Sequence, residues 1–284
     1  MKPILGKSIR LFLMDGVSDG RWICELSNWT GKAYKIPRSM LGQSKNREDL
    51  QSTGVYLLLG RNDELGGKDR VYIGEAENIY ERLKQHAAGK DFWFEVIVYL
   101  SKDEHLNKAH IKYLESRLYE ISQKVDRFVV ENTSTPTRSK ISEAEQAEME
   151  EFLQHIVMLT SILGHKVFES IEAKTDNLPQ QKFFFIHSSK GAYAKGKTHP
   201  EGFIVYQDSK LSHSITTSFQ EHSFNKLRQH LVDEKIIEQN IFMSDYIFNS
   251  PSAAAAVILG RSANGLTSWK TQDGIELKSI EDQS

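Results

Sequence analysis

The sequence predicts an α+β fold: a small antiparallel sheet flanked by helices, with a β-rich N-terminal extension and a second small α+β domain at the C-terminus. Short apolar runs separated by Asp-Gly and Thr-Gly turns open the chain, and apolar residues at helical spacing recur after them. The chain has 284 residues. At about 150 residues per domain, this length predicts two domains.

Strand signals dominate residues 1–50, which we interpret as a β-rich extension or small subdomain. Residues 51–140 then follow the order strand, strand, helix, strand, helix, which is typical of a compact α+β domain. The predicted elements are strands at residues 9–14, 22–26, 33–36, 54–60, 70–74 and 92–100, and helices at residues 78–87 and 103–125.

Residues 141–181 are predicted to be a helix followed by a linker. Ser142, with Glu145 three residues later, matches a capping box that opens this helix. Residues 182–284 are predicted to form a separate C-terminal domain. Its predicted elements are strands at residues 183–187 and 202–206 and helices at residues 224–233 and 252–259.

Composition excludes several classes of protein. The formal net charge is −2, so no overall basic excess indicates a nucleic-acid partner, although a local basic groove is compatible with it. Cys24 is the only cysteine, which excludes an intramolecular disulfide and favours a reducing compartment. The longest apolar stretch, residues 253–259, is too short to span a bilayer, so we expect a cytoplasmic protein without a membrane partner. The sequence contains no P-loop, dinucleotide fingerprint or zinc-ligand cluster, which argues against a metabolic enzyme.

Two tyrosines lie on the predicted hairpin. Because side chains alternate along a strand, Tyr56 and Tyr72 can point from neighbouring strands into one cleft. The alternative is a pair of half-buried tyrosines, which strands favour in any case.

Arg82 and His86 are four residues apart on the next predicted helix, so they lie on one face. An arginine can bind a phosphate through two hydrogen bonds, and a histidine can relay a proton. The alternative is an ordinary charged helix surface.

Glu115 lies at the edge of the apolar stripe of the long helix. A lone carboxylate suits Mg²⁺, which keeps most of its waters and needs few protein oxygens. The alternative is an exposed glutamate in a surface salt bridge.

The combination of these motifs resembles the GIY-YIG nuclease family. Gly54-Val55-Tyr56, a loop, Tyr72-Ile73-Gly74, Arg82 with His86, and Glu115 follow one another in the family's order over roughly residues 53–133. Val55 stands where the family motif has isoleucine. Asn132, in the polar segment beyond the long helix, resembles the family's late asparagine.

The resemblance implies a metal-dependent endonuclease that hydrolyses DNA, in restriction, defence or repair. Glu115 would hold Mg²⁺ or Mn²⁺, and Arg82 would neutralise charge in the transition state. Tyr56 would help to take the proton from the attacking water, with Tyr72 and His86 assisting. Single-site nucleases often cut both strands as dimers, so a homodimer is compatible with this function. The alternative is a catalytically inactive module of the same fold that binds nucleic acid or protein.

The C-terminal region has a resemblance of its own. Residues 250–265 and the segment around Trp269 resemble a domain of unknown function that is often fused to such nucleases. Asn264, Trp269 and Lys270 could form a nucleic-acid patch, since tryptophan stacks on bases. We favour the alternative, a buried tryptophan that anchors a small domain.

Overall fold

In the computed structural model, which describes residues 6–62, 67–170 and 182–282, the chain divides into two units. The first unit comprises residues 6–62 and 67–170, and the second comprises residues 182–282. Each contains a sheet and helices, which confirms the predicted α+β class. Within these described ranges, no helix is long and apolar enough to cross a membrane.

One sheet organises the first unit. Its strands follow the spatial order β1-β2-β3-β6-β4-β5-β7, and every neighbouring pair is antiparallel except β5 with β7. The strands are β1 (Ile9–Leu13), β2 (Trp22–Leu26), β3 (Gly31–Pro37), β4 (Gly54–Gly60), β5 (Arg70–Ala76), β6 (Glu95–Ser101) and β7 (Val129–Val130).

The N-terminal strands extend this sheet. Strand β3 pairs with β6 along its whole length, with Ala33 opposite Tyr99, so β1 to β3 continue the sheet outward from the central hairpin. The described part of the predicted extension, residues 6–50, therefore belongs to the same unit as the hairpin and extends its sheet. Two short 3₁₀ helices, Arg38–Ser44 and Glu48–Gln51, connect β3 to β4.

Helices cover both faces of the sheet. Helix α1 (Ile79–Gly89) begins after Asn78, whose side chain accepts from the Glu81 amide, and packs on the face that carries Tyr56 and Leu58. Helices α2 (Lys108–Val125) and α3 (Glu143–Ile162) pack on the opposite face. The predicted alternation along the hairpin is therefore observed.

The long helix α2 begins five residues later than predicted from residue 103. Glu104 has a left-handed φ of 56°, which a helix interior does not tolerate. Asn107 instead caps the helix, because its side chain accepts hydrogen bonds from the amides of Ala109 and His110.

Helix α3 begins with the predicted capping box of Ser142 and Glu145. Its buried residues, including Phe152 and Ile156, belong to the core of the first unit. The helix predicted within residues 141–181 is thus part of the first unit, and the linker predicted at residues 176–181 lies outside the described residues.

The second unit has helices against one side of a four-stranded sheet, ordered β13-β10-β9-β8 among the described residues. Strand β9 lies between the two predicted strands, and it was not predicted because its apolar alternation is weak. The elements are β8 (Phe184–His187), β9 (Tyr193–His199), β10 (Gly202–Val205), α4 (Ser223–Asp233), β11 (Ile237–Glu238), β12 (Ile241–Phe242), β13 (Tyr246–Phe248), α5 (Pro251–Leu259), α6 (Gly265–Ser268) and α7 (Leu277–Glu281).

Candidate active site

Three aromatic side chains meet on the α1 face of the sheet. Tyr56 pairs with Gly74 and Tyr72 pairs with Leu58, so the two phenols lie diagonally on adjacent strands. Their ring centroids are 6.3 Å apart. His86, one turn before the end of α1, places its Nε2 atom 2.8 Å from the Tyr56 hydroxyl and its ring 5.0 Å from that of Tyr72. The predicted convergence of these three residues is therefore present.

Gly74 makes room for this cluster. A Cβ atom built on residue 74 would overlap the ring and hydroxyl oxygen of Tyr56. The absence of a side chain at residue 74 therefore lets the Tyr56 phenol lie across the neighbouring strand.

His86 is 6% exposed, Tyr56 is fully buried, and Tyr72 is partly exposed. Burial and, after it, the charges of Arg82 and Lys90 together lower the pKa of the His86 imidazole to about 4. The ring is thus neutral near neutral pH. With the proton on Nδ1, its Nε2 atom accepts a hydrogen bond from the Tyr56 hydroxyl.

Arg82 supplies a cation beside the phenols. Burial lowers the pKa of its guanidinium, but hydrogen bonding and charge from Tyr56, and then Tyr72, outweigh this effect and raise the pKa overall. The side chain remains exposed and donates to the Gln85 amide oxygen at 3.0 Å. A second cation, the Lys90 ammonium, lies 4.7 Å from the centroid of the Tyr72 ring. Both groups can reach an anionic ligand in front of the phenols.

Glu115 lies on α2, on the opposite side of the sheet from α1, yet it belongs to the same electrostatic environment. Burial and, after it, the charge of Glu75 raise the pKa of its carboxyl, which is about 7 overall. Lys108 and Arg82 lower the same pKa, so the guanidinium and the carboxylate are close enough to interact. Arg82 and Glu115 thus influence each other across the sheet.

Glu75 also belongs to this environment, although it was not among the predicted site residues. It follows Gly74 directly, its side chain is 13% exposed, and its carboxylate accepts from the Lys108 ammonium at 2.8 Å. Its position immediately after the tyrosine-bearing motif is the sequence signal that could have identified it.

Glu115 and Glu75 suit a hard divalent cation. No group of three or more histidine, cysteine, aspartate or glutamate side chains is arranged to hold a metal among the residues that the structure describes. Mg²⁺ needs only one or two carboxylates, because water fills its remaining positions. The raised pKa of Glu115 reflects burial and, after it, the charge of Glu75, and a bound cation would offset both effects. The donor set therefore fits Mg²⁺ or Mn²⁺.

Asn132 does not join the phenols. Its amide oxygen accepts from the Ile73 N–H at 3.0 Å, and its amide nitrogen donates to the Ile73 carbonyl at 2.7 Å. The side chain thus extends the pairing of β7 along the edge of β5. These contacts hold Asn132 against the strand that carries Tyr72, and the catalytic role that the resemblance implies for it stays a prediction.

Trp269 is fully buried in the second unit, as the favoured interpretation predicted. Its indole N–H donates to the Pro251 carbonyl at 3.0 Å, and its ring centroid lies 4.5 Å from that of Phe203. It cannot stack on a base, so the patch proposed around Asn264 and Lys270 lacks its aromatic member.

Comparison with known proteins identifies part of the chain. The family called domain of unknown function DUF4357 matches residues 184–281, which coincide with the second unit. No curated protein matches the chain. No solved structure matches it either.

Proposed function

We propose that the protein is a metal-dependent endonuclease that hydrolyses DNA phosphodiester bonds, consistent with the resemblance of its first unit to the GIY-YIG family. The observation that carries this proposal is the meeting of Tyr56, Tyr72, His86 and Arg82 on one sheet face, within electrostatic reach of Glu115. The alternative, an ordinary charged helix surface beside two half-buried strand tyrosines, does not account for the meeting of these side chains in one polar cluster.

Arg82 is the residue suited to the phosphate. Its guanidinium is permanently charged, exposed, and positioned beside the two phenols. Contact with a non-bridging oxygen would neutralise the charge that develops when water attacks phosphorus, which is typically the largest contribution that such a site makes.

The phenol and the imidazole would handle the proton. The Tyr56 phenol is fully buried in the free protein, so as the base it would have to become accessible when DNA binds. As its hydroxyl then accepts the proton of the attacking water, its own proton can pass to His86 Nε2 along the existing hydrogen bond. Burial raises the pKa of Tyr56 and the charge of Tyr72 adds to this, so ionisation needs a compensating cation. The hydrogen bond from Arg82 lowers that pKa and supplies part of the compensation.

Glu115 would hold the metal, with Glu75 as the neighbouring carboxylate. When bound, Mg²⁺ or Mn²⁺ would polarise the phosphate and stabilise the leaving oxygen. Glu115 lies where this charge is needed, since its carboxylate interacts with Arg82 and with Tyr56.

The test is nicking and linearisation of a supercoiled plasmid with Mg²⁺, with Mn²⁺ and with EDTA. Arg82→Ala and Glu115→Ala should each abolish metal-dependent cutting. Lys84→Ala, which removes an exposed cation from the same helix, should cut normally. Cutting that survives both site substitutions would indicate a contaminating nuclease. The absence of cutting on varied DNA by the wild type would favour the inactive binding module.

A further inference from the structure

The sheet of the DUF4357 unit presents an aromatic and basic face on the side opposite its helices. Side chains alternate along β8 and β9, so Phe184, Ile186 and Ala194 are buried in the core of the unit. The intervening residues point the other way. We call this surface the outer face and define it by Phe183, Phe185, Tyr193, Lys195, Lys197 and Lys210.

Strand pairing places these side chains together. Phe185 is directly opposite Lys195. Tyr193 exchanges both backbone hydrogen bonds with Lys210, which puts their side chains on one side of the sheet. Lys197 follows Lys195 by two residues and therefore shares its face.

The aromatic rings of the outer face are accessible. Phe183 is 41% exposed and Tyr193 is 46% exposed, although each lies beside a well-packed core. The Lys195 ammonium lies 3.9 Å from the centroid of the Phe183 ring and 5.1 Å from that of Tyr206. A cation held among exposed rings combines the two features that a stacked, anionic ligand requires.

The charge of the outer face is positive. Within the described residues, Lys195, Lys197 and Lys210 form no salt bridge with a carboxylate. The neighbouring Lys270, whose backbone pairs with that of Phe185, does form a salt bridge. Its ammonium lies 3.2 Å from a carboxylate oxygen of Glu276. Three uncompensated ammonium groups thus surround the exposed rings.

We infer that the outer face binds single-stranded nucleic acid. Exposed rings offer surfaces on which unpaired bases stack, and the lysines follow the phosphates between them. A duplex keeps its base faces stacked inside and could use only the lysines. The exposed rings therefore favour a single strand over a duplex. The inference concerns a different unit from the proposed nuclease site and does not depend on it.

The experiment is fluorescence anisotropy of labelled oligothymidylate and oligouridylate with the full chain. EDTA excludes metal-dependent hydrolysis, and every protein carries Arg82→Ala to weaken binding at the candidate active site. Tyr193→Ala should weaken binding at least about fivefold, because one stacked base is lost, whereas Tyr193→Phe should retain affinity. Lys226→Ala, on helix α4 and outside the face, should behave as the parent protein does.

The salt dependence provides a second readout. The double variant Lys197→Ala/Lys210→Ala should lower the slope of log affinity against log salt by about 1.4, since each phosphate contact on a single strand contributes about 0.7. Comparison of the two oligonucleotides distinguishes DNA from RNA as the ligand. Unchanged affinity in Tyr193→Ala, or equal binding of a duplex, would overturn the inference. If the parent protein binds neither oligothymidylate nor oligouridylate, the inference is also overturned, and a protein becomes the expected ligand of the outer face.

Discussion

The Tyr56 ring lies directly across Gly74 of the paired strand and ends at the imidazole of His86. The hydroxyl meets Nε2 at 2.8 Å, and the glycine provides the space in which the ring can reach it. The motifs Gly54-Val55-Tyr56 and Tyr72-Ile73-Gly74 are thus coupled in space. The second motif carries Tyr72 and also leaves room for Tyr56.

Gly74→Ala should displace the Tyr56 phenol. A methyl group at this position overlaps the ring, so we expect a loss of about 1–3 kcal/mol in the free energy of unfolding and a strong loss of DNA cutting. Urea unfolding and plasmid nicking measure the two effects. Gly89→Ala is the matched control, because a Cβ there meets no atom within 4 Å. Normal stability and cutting in Gly74→Ala would contradict the role assigned to the glycine.

Tyr56→Phe should reduce cutting by about a hundredfold or more, because it removes the hydroxyl that accepts and passes on the proton. Single-turnover cleavage is the measurement. Tyr80→Phe, a buried tyrosine on the neighbouring helix α1, is the control and should cut as the wild type does. A Tyr56→Phe protein with full activity would eliminate Tyr56 as the base and leave Tyr72 as the remaining phenol of the cluster.

Asn132→Ala should destabilise the first unit by about 1–3 kcal/mol, because it leaves the amide and carbonyl of buried Ile73 without their side-chain partner. Urea unfolding measures the loss. Thr133→Ala, at the adjacent exposed position, should change stability by less than about 0.5 kcal/mol. If Asn132→Ala instead abolishes cutting and leaves the unfolding free energy unchanged, Asn132 contacts the substrate.

Glu115 should make the metal-free protein less stable as the pH rises. Its folded pKa of about 7 lies above the ordinary pKa of 4.5 for a glutamate, so its contribution is fully present below that lower value. The contribution is lost as the pH rises through about 7, at a cost of at most about 3 kcal/mol. Glu115→Gln should therefore gain stability relative to the wild type between pH 5 and pH 8, as judged by urea unfolding in EDTA. Glu81→Gln, at an exposed position, should show no such gain. If the stability of Glu115→Gln changes with pH in parallel with that of the wild type, the raised pKa is not that of Glu115.

A divalent cation should restore the stability that is lost when Glu115 ionises. At the alkaline end of the same range, Mg²⁺ or Mn²⁺ should raise the Tm of the wild type, because a metal that binds the folded state stabilises it. Glu115→Gln should lose the increase and Glu75→Gln should reduce it. An increase of the same size in all three proteins would place the cation elsewhere.

Much of the fold was predictable because local rules govern it. The period-two alternation of the hairpin, the capping box at Ser142 and the turn signals of the extension act over a few residues. The start of α2 was mispredicted because a left-handed residue at Glu104 and the cap at Asn107 compete with an apolar pattern that continues through both. Strand β9 was missed because lysines alternate with small residues in it, and its partners β8 and β10 impose its conformation.

The sequence by itself determined which chemical groups the first unit carries and in what order, since a motif is a property of local spacing. Only the tertiary structure decided which of them meet. Tyr56 reaches His86 because a glycine on another strand leaves space, and Asn132 is committed to Ile73 because β7 follows the edge of β5. The pKa of Glu115 depends on burial and on the charges of Glu75 and Arg82, because these effects act through space between residues far apart in the sequence.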